Sequence, residues 1–462
     1  MSVDFSDHPM FKAGGFSAPT RFEADIYDCE VEGEIPSEIH GVWYRMACDF
    51  RYPPPKNDWA TGFNGDGHVT ALFFKDGRAR LKSRYVGTER LHAEAAVRRR
   101  LFGVYRNRYT NDPSLSTLKS LTAANTHIYW HGGRLFTLKE DSLPFEIDPH
   151  TLEAKGSWDF YGKYSAVCMS AHPKIDPVTG EMICYGYQAK GDLTNDIAVY
   201  TVAPSGHITK EVWLKMPYVG MIHDICLTQK HIVFPVVGNV TSLARLHAGE
   251  PMWEWDIAKP TMVGILPRDG EAKDVRWFKG PNRSTLHFLN AVSTKDKVIM
   301  ELPVGDKPGA PQLVRRWTFD LNSKDENFGE DPMVISPGLL PRMDDRYLSM
   351  PYQYGFVGAR DPSGKRNVYN KFDIHKGIVG TWTAPETTGS LQENTFIPRS
   401  AKSPEGDGYV IGVGANTAEM ESEIYIIDSL RMEQGPVATI KLPFRLRSGT
   451  HTNWFPASQI AV

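Results

Sequence analysis

Cysteine is scarce. Five occur in 462 residues, and Cys29, Cys48, Cys168, Cys184 and Cys226 form no Cys-x-x-Cys pair. An odd, sparse set is no disulfide framework and fits inert, buried thiols in a reducing, cytoplasmic compartment. Long apolar runs are missing too; none approaches the ~18 residues of a membrane span. The N-terminal octet Met-Ser-Val-Asp-Phe-Ser-Asp-His is polar and acidic, which argues against a secretory signal. There is no basic excess: 52 Lys and Arg face 55 Asp and Glu, a formal charge of −3. That balance excludes the electrostatic footprint of a nucleic-acid binder. The one basic run, Arg98-Arg99-Arg100, is short and reads as a solvated surface turn.

Glycine (40) and proline (32) are spread evenly, without a low-complexity block. Between them lie short alternating apolar segments, such as 41–45, 68–74, 134–138, 231–237, 298–302 and 423–428. Turn signals separate them, for example Lys-Asp-Gly at 75–77 and His-Gly-Gly at 131–133. This is strand-and-turn patterning. Only the stretch around 88–103 reads as helical. With no alternation of strands and long helices, the choice narrows to sandwich, barrel or propeller. Length favours a propeller, although no sequence repeat establishes it. Seven blades would average 66 residues, above the usual ~40–50, and the excess would form loops over one face. The reading is therefore an all-β, single-domain chain, residues 1–462, folded as a seven-bladed β-propeller with a cap of loops and short helices.

Four of the fifteen histidines sit in strand-like contexts far apart: His172 in Ser-Ala-His-Pro, His223 in Met-Ile-His-Asp, His287 in Leu-His-Phe and His451 in Thr-His-Thr. Imidazole suits iron, copper, zinc and nickel. Four neutral imidazoles with no thiolate would leave a divalent ion its full charge and an open position. His172, His223 and His287 are 51 and 64 residues apart, each about one blade, so ligands offered once per blade would converge on a central channel. His8, His40, His150, His207 and His375 have polar or turn-like surroundings and read as ordinary surface or core residues. His127 and His131 mimic an i, i+4 metal pair, but their segment reads as a strand entering a Gly-Gly turn. Metal-bound imidazoles need an acceptor for the other ring N–H. Glu140, Glu330 and Glu393 are carboxylates in oddly apolar settings that could serve; taken singly, each also reads as a salt-bridge partner at a strand end.

Several ordered motifs go further: Phe-Asn-Gly-Asp-Gly (63–67), Ala-Asn-Thr (124–126), Ser-Ala-His-Pro-Lys-Ile-Asp-Pro-Val-Thr-Gly-Glu (170–181), Ile-His-Asp (222–224), His-Phe-Leu-Asn-Ala (287–291), Glu-Asp-Pro (330–332), Phe-Ile-Pro-Arg (396–399) and Leu-Pro-Phe-Arg-Leu-Arg followed by Thr-His (442–451). With them, nearly the whole chain resembles the carotenoid cleavage oxygenases. The resemblance implies a seven-bladed propeller with axial non-haem Fe(2+) on His172, His223, His287 and His451. It implies that Glu140, Glu330 and Glu393 orient His223, His287 and His451 in that order, leaving His172 without a glutamate. It also implies that the methyl of Thr126 crowds one coordination position.

Within the family, Leu-Phe-Gly-Val-Tyr-Arg-Asn-Arg-Tyr-Thr-Asn-Asp (101–112) is similar to the branch that cleaves lignostilbene, isoeugenol or vinylguaiacol. That similarity places a phenol-binding pair on Tyr105 and Lys139, with Phe63 as a ring contact. The implied enzyme is an Fe(II)-dependent dioxygenase that splits the exocyclic C=C of a 4-hydroxylated phenylpropenoid or stilbene with O2, giving aldehydes such as vanillin. Cleavage of a carotenoid or apocarotenoid is the alternative within the family, and a non-catalytic propeller platform the alternative outside it. Asn64 stands where the family usually has aspartate, Thr452 where glycine is frequent, and Met333 where arginine is frequent. Val292-Ser293 replace the common aromatic and acid. None of these departures removes a ligand.

Overall fold

The alternating segments form seven antiparallel sheets in the computed structural model, which describes residues 5, 8–11, 14–56, 58, 61–333, 338 and 340–462. Most of the polar N-terminal octet lies outside the described residues. Each sheet is one blade of a seven-bladed β-propeller. The first blade runs outward from Gly449–Pro456 through Gly41–Asp49, Asp66–Lys75 and Arg78–Tyr85 to Ala24–Ile26. The second to sixth begin at the hub with His127–His131, Lys174–Ile175, Gly220–Met221, Asn290–Ser293 and Arg342–Met343. The seventh begins with Thr388–Pro398 and ends at its rim with Glu30–Gly33. The ring closes within the first blade. There the C-terminal strand pairs antiparallel with Gly41–Asp49, Trp43 opposite Trp454.

Burial follows distance from the axis. Gly41–Asp49, Met182–Tyr187 and Gly408–Asn416 are buried on both faces, because neighbouring blades cover each side. Farther out, Arg78–Tyr85 and Ile208–Lys215 alternate buried and wet positions, the pattern of a half-solvated strand. Apolar clusters fill the junctions between blades. Ile183, Tyr185 and Tyr187 meet Ile232, Phe234 and Val236 between the third and fourth blades. Val233 and Ile265 meet Met300 and Trp317 between the fourth and fifth. Trp43 and Leu72 meet Ile411 and Ile424 between the first and seventh. Continuous burial on inner strands is what lets the polar hub residues sit in a rigid frame.

The helical stretch is shorter than its sequence indicates. It spans Glu89–Val97, starts on a Thr88 side-chain cap and stops where Arg98 turns left-handed at φ 54°. Beyond it, Glu94 accepts the backbone N–H groups of Leu101 and Phe102. Leu101, Phe102 and Leu115 then form a small core for the 98–121 segment, which delivers Tyr105 to the hub side of the second blade. Gly67, in the Phe-Asn-Gly-Asp-Gly motif, is required for close approach: a Cβ there would lie 2.1 Å from the Ala124 carbonyl oxygen.

Candidate metal centre

The four histidines come from the innermost strands of four blades or from their immediate flanks. His172 lies just before Lys174–Ile175, His223 just after Gly220–Met221, His287 just before Asn290–Ser293, and His451 within Gly449–Pro456. Remote in sequence, they meet on the axis, with ligand atoms all within 4.8 Å of one another, and can hold a metal ion. His223 Nε2 stands 3.1 Å from His172 Nε2 and 3.3 Å from His287 Nε2. Two nitrogens each ~2.1 Å from one ion, at right angles, would be about 3.0 Å apart. His223 donates its Nδ1–H to Glu140 Oε2 at 2.9 Å, which leaves its Nε2 as the ring atom turned toward the other histidines. Four imidazole nitrogens from separate blades, gathered within 4.8 Å of one another, can share one ion as their common partner, so the donor set fits a metal.

Protonation favours the same state. Burial first, then the neighbouring histidines, push His172 and His287 well below the usual imidazole range. They are neutral near pH 7, as ligation requires. His451 Nδ1 pairs with Glu393 Oε1 at 3.1 Å, while Glu393 Oε2 accepts the Thr452 backbone N–H at 2.6 Å. Burial works to raise both carboxyls. His223 with Arg106 and Lys139 outweighs it at Glu140, and His451 with Arg342 at Glu393, so both stay ionised.

Glu330 is a correction. It does not orient His287. It lies on Gly329–Pro332, the rim strand of the fifth blade, whereas His287 precedes the hub strand of that blade. Three strand spacings of ~4.8 Å put about 14 Å between hub and rim strands. The Glu330 carboxylate is instead clamped by Arg283, at 2.8 and 3.1 Å, and by Trp317 Nε1 at 2.9 Å. Among the described residues, no carboxylate hydrogen-bonds to His287. Glu140→Gln and Glu393→Gln are therefore expected to weaken metal binding by about 10- to 100-fold. Glu330→Gln is expected to leave it within about twofold. Chelator competition on the three variants checks the contrast.

Tyr105 and Lys139 meet beside this centre. Lys139 Nζ lies 3.3 Å from the Tyr105 hydroxyl and 3.3 Å from the Phe63 carbonyl oxygen. The Tyr105 hydroxyl is 3.4 Å from Glu140 Oε1, the carboxylate whose other oxygen holds His223. Burial, then Glu140, raise the Tyr105 hydroxyl well above its ordinary range against the pull of Arg106, so it stays a donor. The Phe63 ring is 6.3 Å from that of Tyr105 and is 58% exposed. Thr126 sits one residue before the hub strand of the second blade, its hydroxyl donating to Asn125 Oδ1 at 3.0 Å.

Two residues passed over in the sequence belong here. Arg106 reaches Glu140 Oε1 at 3.0 Å and Tyr187 Oη at 3.0 Å; its signal was adjacency to Tyr105. His127 does open a strand that ends at a Gly-Gly turn. Its ring also packs 4.4 Å from His451 and 5.2 Å from His172, which the i, i+4 spacing with His131 could not reveal.

Comparison with known proteins agrees with this geometry. Residues 17–456 match the family described as Retinal pigment epithelial membrane protein, RPE65. Isoeugenol monooxygenase of Pseudomonas nitroreducens is 37% identical over 469 residues, 96% of this chain and 97% of the relative. Lignostilbene-alpha,beta-dioxygenase isozyme III of Sphingomonas paucimobilis is also 37% identical, with 97% of each chain covered. The crystal structure of Pseudomonas brassicacearum lignostilbene dioxygenase superposes with a TM-score of 0.93 at 37% identity, covering 98% of this chain and 100% of that one. Agreement over nearly the full length in both sequence and fold means that the chain belongs to the RPE65, or carotenoid cleavage oxygenase, family.

Proposed function

We propose that this chain is an iron(II) oxygenase that cleaves the exocyclic C=C of 4-hydroxylated phenylpropenoids or stilbenes with O2, yielding aromatic aldehydes. One observation carries the reading. Lys139 and Tyr105 form a buried polar pair, and a single carboxylate, Glu140, links it to His223. In this reading the pair is a phenol anchor beside the four-histidine centre. The relatives named for isoeugenol and lignostilbene support the substrate class.

In this reading His172, His223, His287 and His451 hold the iron, and Glu140 and Glu393 fix two of the rings. Iron bound there supplies the chemistry that activates O2. The remaining work belongs to side chains. The Tyr105 hydroxyl and Lys139 ammonium receive the substrate 4-oxygen and favour its phenolate. Electron density then moves from that oxygen through the ring into the side-chain double bond, making the alkene the electron-rich partner. Phe63 flanks the aromatic ring, and Thr126 narrows the approach to the centre. The alkene bond breaks, each carbon gains one C=O, and the two atoms of one O2 balance the products. No side chain acts as a nucleophile. We further take residues 1–462 as one propeller domain working in the cytoplasm; all five thiols are free and buried, which suits a reducing compartment.

A panel of 4-hydroxystyrenes, 4-hydroxystilbenes, their 4-O-methyl ethers and one apocarotenoid tests the proposal by aldehyde release. The free phenols are expected to be cleaved, with the ethers at least ~100-fold slower, the scale of a lost proton-handling contact. Equal rates for phenols and ethers would end the phenolate mechanism. Turnover of the apocarotenoid alone would overturn the substrate class.

A further inference from the structure

Two of the four imidazoles, His172 and His287, have no carboxylate on Nδ1 among the described residues. The Asp224 carboxylate, 2% exposed, reaches the chain segments of both. Its Oδ1 lies 2.7 Å from Lys174 Nζ and 2.7 Å from the Ile225 backbone N–H. Its Oδ2 accepts the Phe288 backbone N–H at 3.2 Å. Lys174 is two residues beyond His172, Phe288 one beyond His287, and Asp224 one beyond His223. One carboxylate thus joins the hub segments of the third, fourth and fifth blades. Ser170 reinforces the link: its Oγ accepts the His172 backbone N–H at 3.2 Å and lies 3.2 Å from the His223 carbonyl.

We propose that Asp224 is a positioning residue of the metal centre, holding His172 and His287 in place through neighbouring residues while Glu140 and Glu393 act directly on the other two rings. The proposal rests on the metal reading above. The bond to the Phe288 N–H fixes the backbone beside His287, and with it the direction from which that ring enters; the His172 segment is tied through the Lys174 side chain, two residues on. Lys174 balances the buried charge of Asp224; without that pairing each would be a desolvated ion, and an unpaired ammonium would stand near a site meant for a cation. Ile-His-Asp is a local motif in the sequence, but only the folded chain shows that its aspartate spans three blades.

Cobalt(II) added to metal-free, full-length protein tests this through its visible absorption bands and its affinity in chelator competition. Asp224→Ala is expected to shift the bands and to weaken cobalt binding by about 10-fold or more, the scale of lost outer partners. Asp224→Asn retains an acceptor for the Phe288 N–H and is expected to recover most of that loss. If Asp224→Ala does not fold, Lys174→Met carries the test: its bands are expected to be altered, whatever the change in melting temperature that the broken ion pair brings. Wild-type bands and affinity in every folded variant would overturn the proposal, as would a lowered melting temperature with unchanged bands. A wild-type protein that takes up no cobalt would instead remove the metal reading itself, and the proposal with it.

Discussion

His223→Ala is expected to yield a folded propeller that has lost bound iron and alkene cleavage together, with activity down by at least ~1,000-fold. The size follows from the division of labour. The O2 chemistry belongs to the metal, and no side chain in the pocket can replace it. His223 is also the most connected of the four rings. It stands 3.1 and 3.3 Å from two partner nitrogens and donates to Glu140. Its removal takes away one donor and leaves the Glu140 carboxylate, among the described residues, hydrogen-bonded by Arg106 and Tyr105 with Lys139 nearby. The fold should persist, since the blade junctions are apolar clusters in which His223 has no part. Metal content by mass spectrometry, aldehyde release and circular dichroism on one preparation check all three points. Wild-type-like turnover from an iron-depleted sample would refute the metal reading.

Tyr105→Phe and Lys139→Ala should do the opposite: keep iron near one per chain and lower kcat/KM for 4-hydroxylated substrates by about 100-fold each. Tyr105 loses only its hydroxyl, and burial keeps that hydroxyl protonated in the native enzyme, so the variant removes a hydrogen-bond donor and leaves the ring contact with Phe63. Lys139 loses a cation 3.3 Å from the same hydroxyl. Since both groups address one substrate oxygen, the double variant should fall well short of the product of the single losses. On 4-O-methyl ethers the variants and the wild type should converge. A variant that loses iron in parallel with activity would show that the pair supports the metal centre and does not bind phenol.

These contrasts depend on Glu140, which serves both sites. One oxygen holds His223; the other receives Arg106 and faces Tyr105. Glu140→Gln should accordingly weaken metal retention and still lower turnover of phenols once iron is restored, whereas Glu393→Gln, whose carboxylate meets His451, Thr452 and Arg342, should regain turnover with added iron.

Much of this was legible in the chain. Period-two apolar segments between glycine and proline turns specify strands, since alternate side chains face opposite sides of a sheet. The four histidine contexts and the adjacency of Lys139 and Glu140 are local facts that survive folding unchanged. Other features depended on distance from the axis, which a linear motif does not encode. Glu330 and Glu393 look alike as glutamates near strand ends. One lies on a rim strand and is neutralised by Arg283; the other lies on a hub strand and meets His451. The helix near 88–103 stopped at Arg98 because a left-handed residue and the Glu94 carboxylate redirect the chain there. His127 and Asp224 owe their places to contacts with other blades. The sequence by itself determined the strand content and the metal-binding residue types, because those follow from local periodicity and side-chain chemistry; the Tyr105–Lys139 pair was implied only by the family resemblance. Tertiary structure alone decided that Glu330 serves no histidine while Glu140 and Glu393 do, because ring closure sets how far each strand stands from the hub, and a hydrogen bond reaches only about 3 Å.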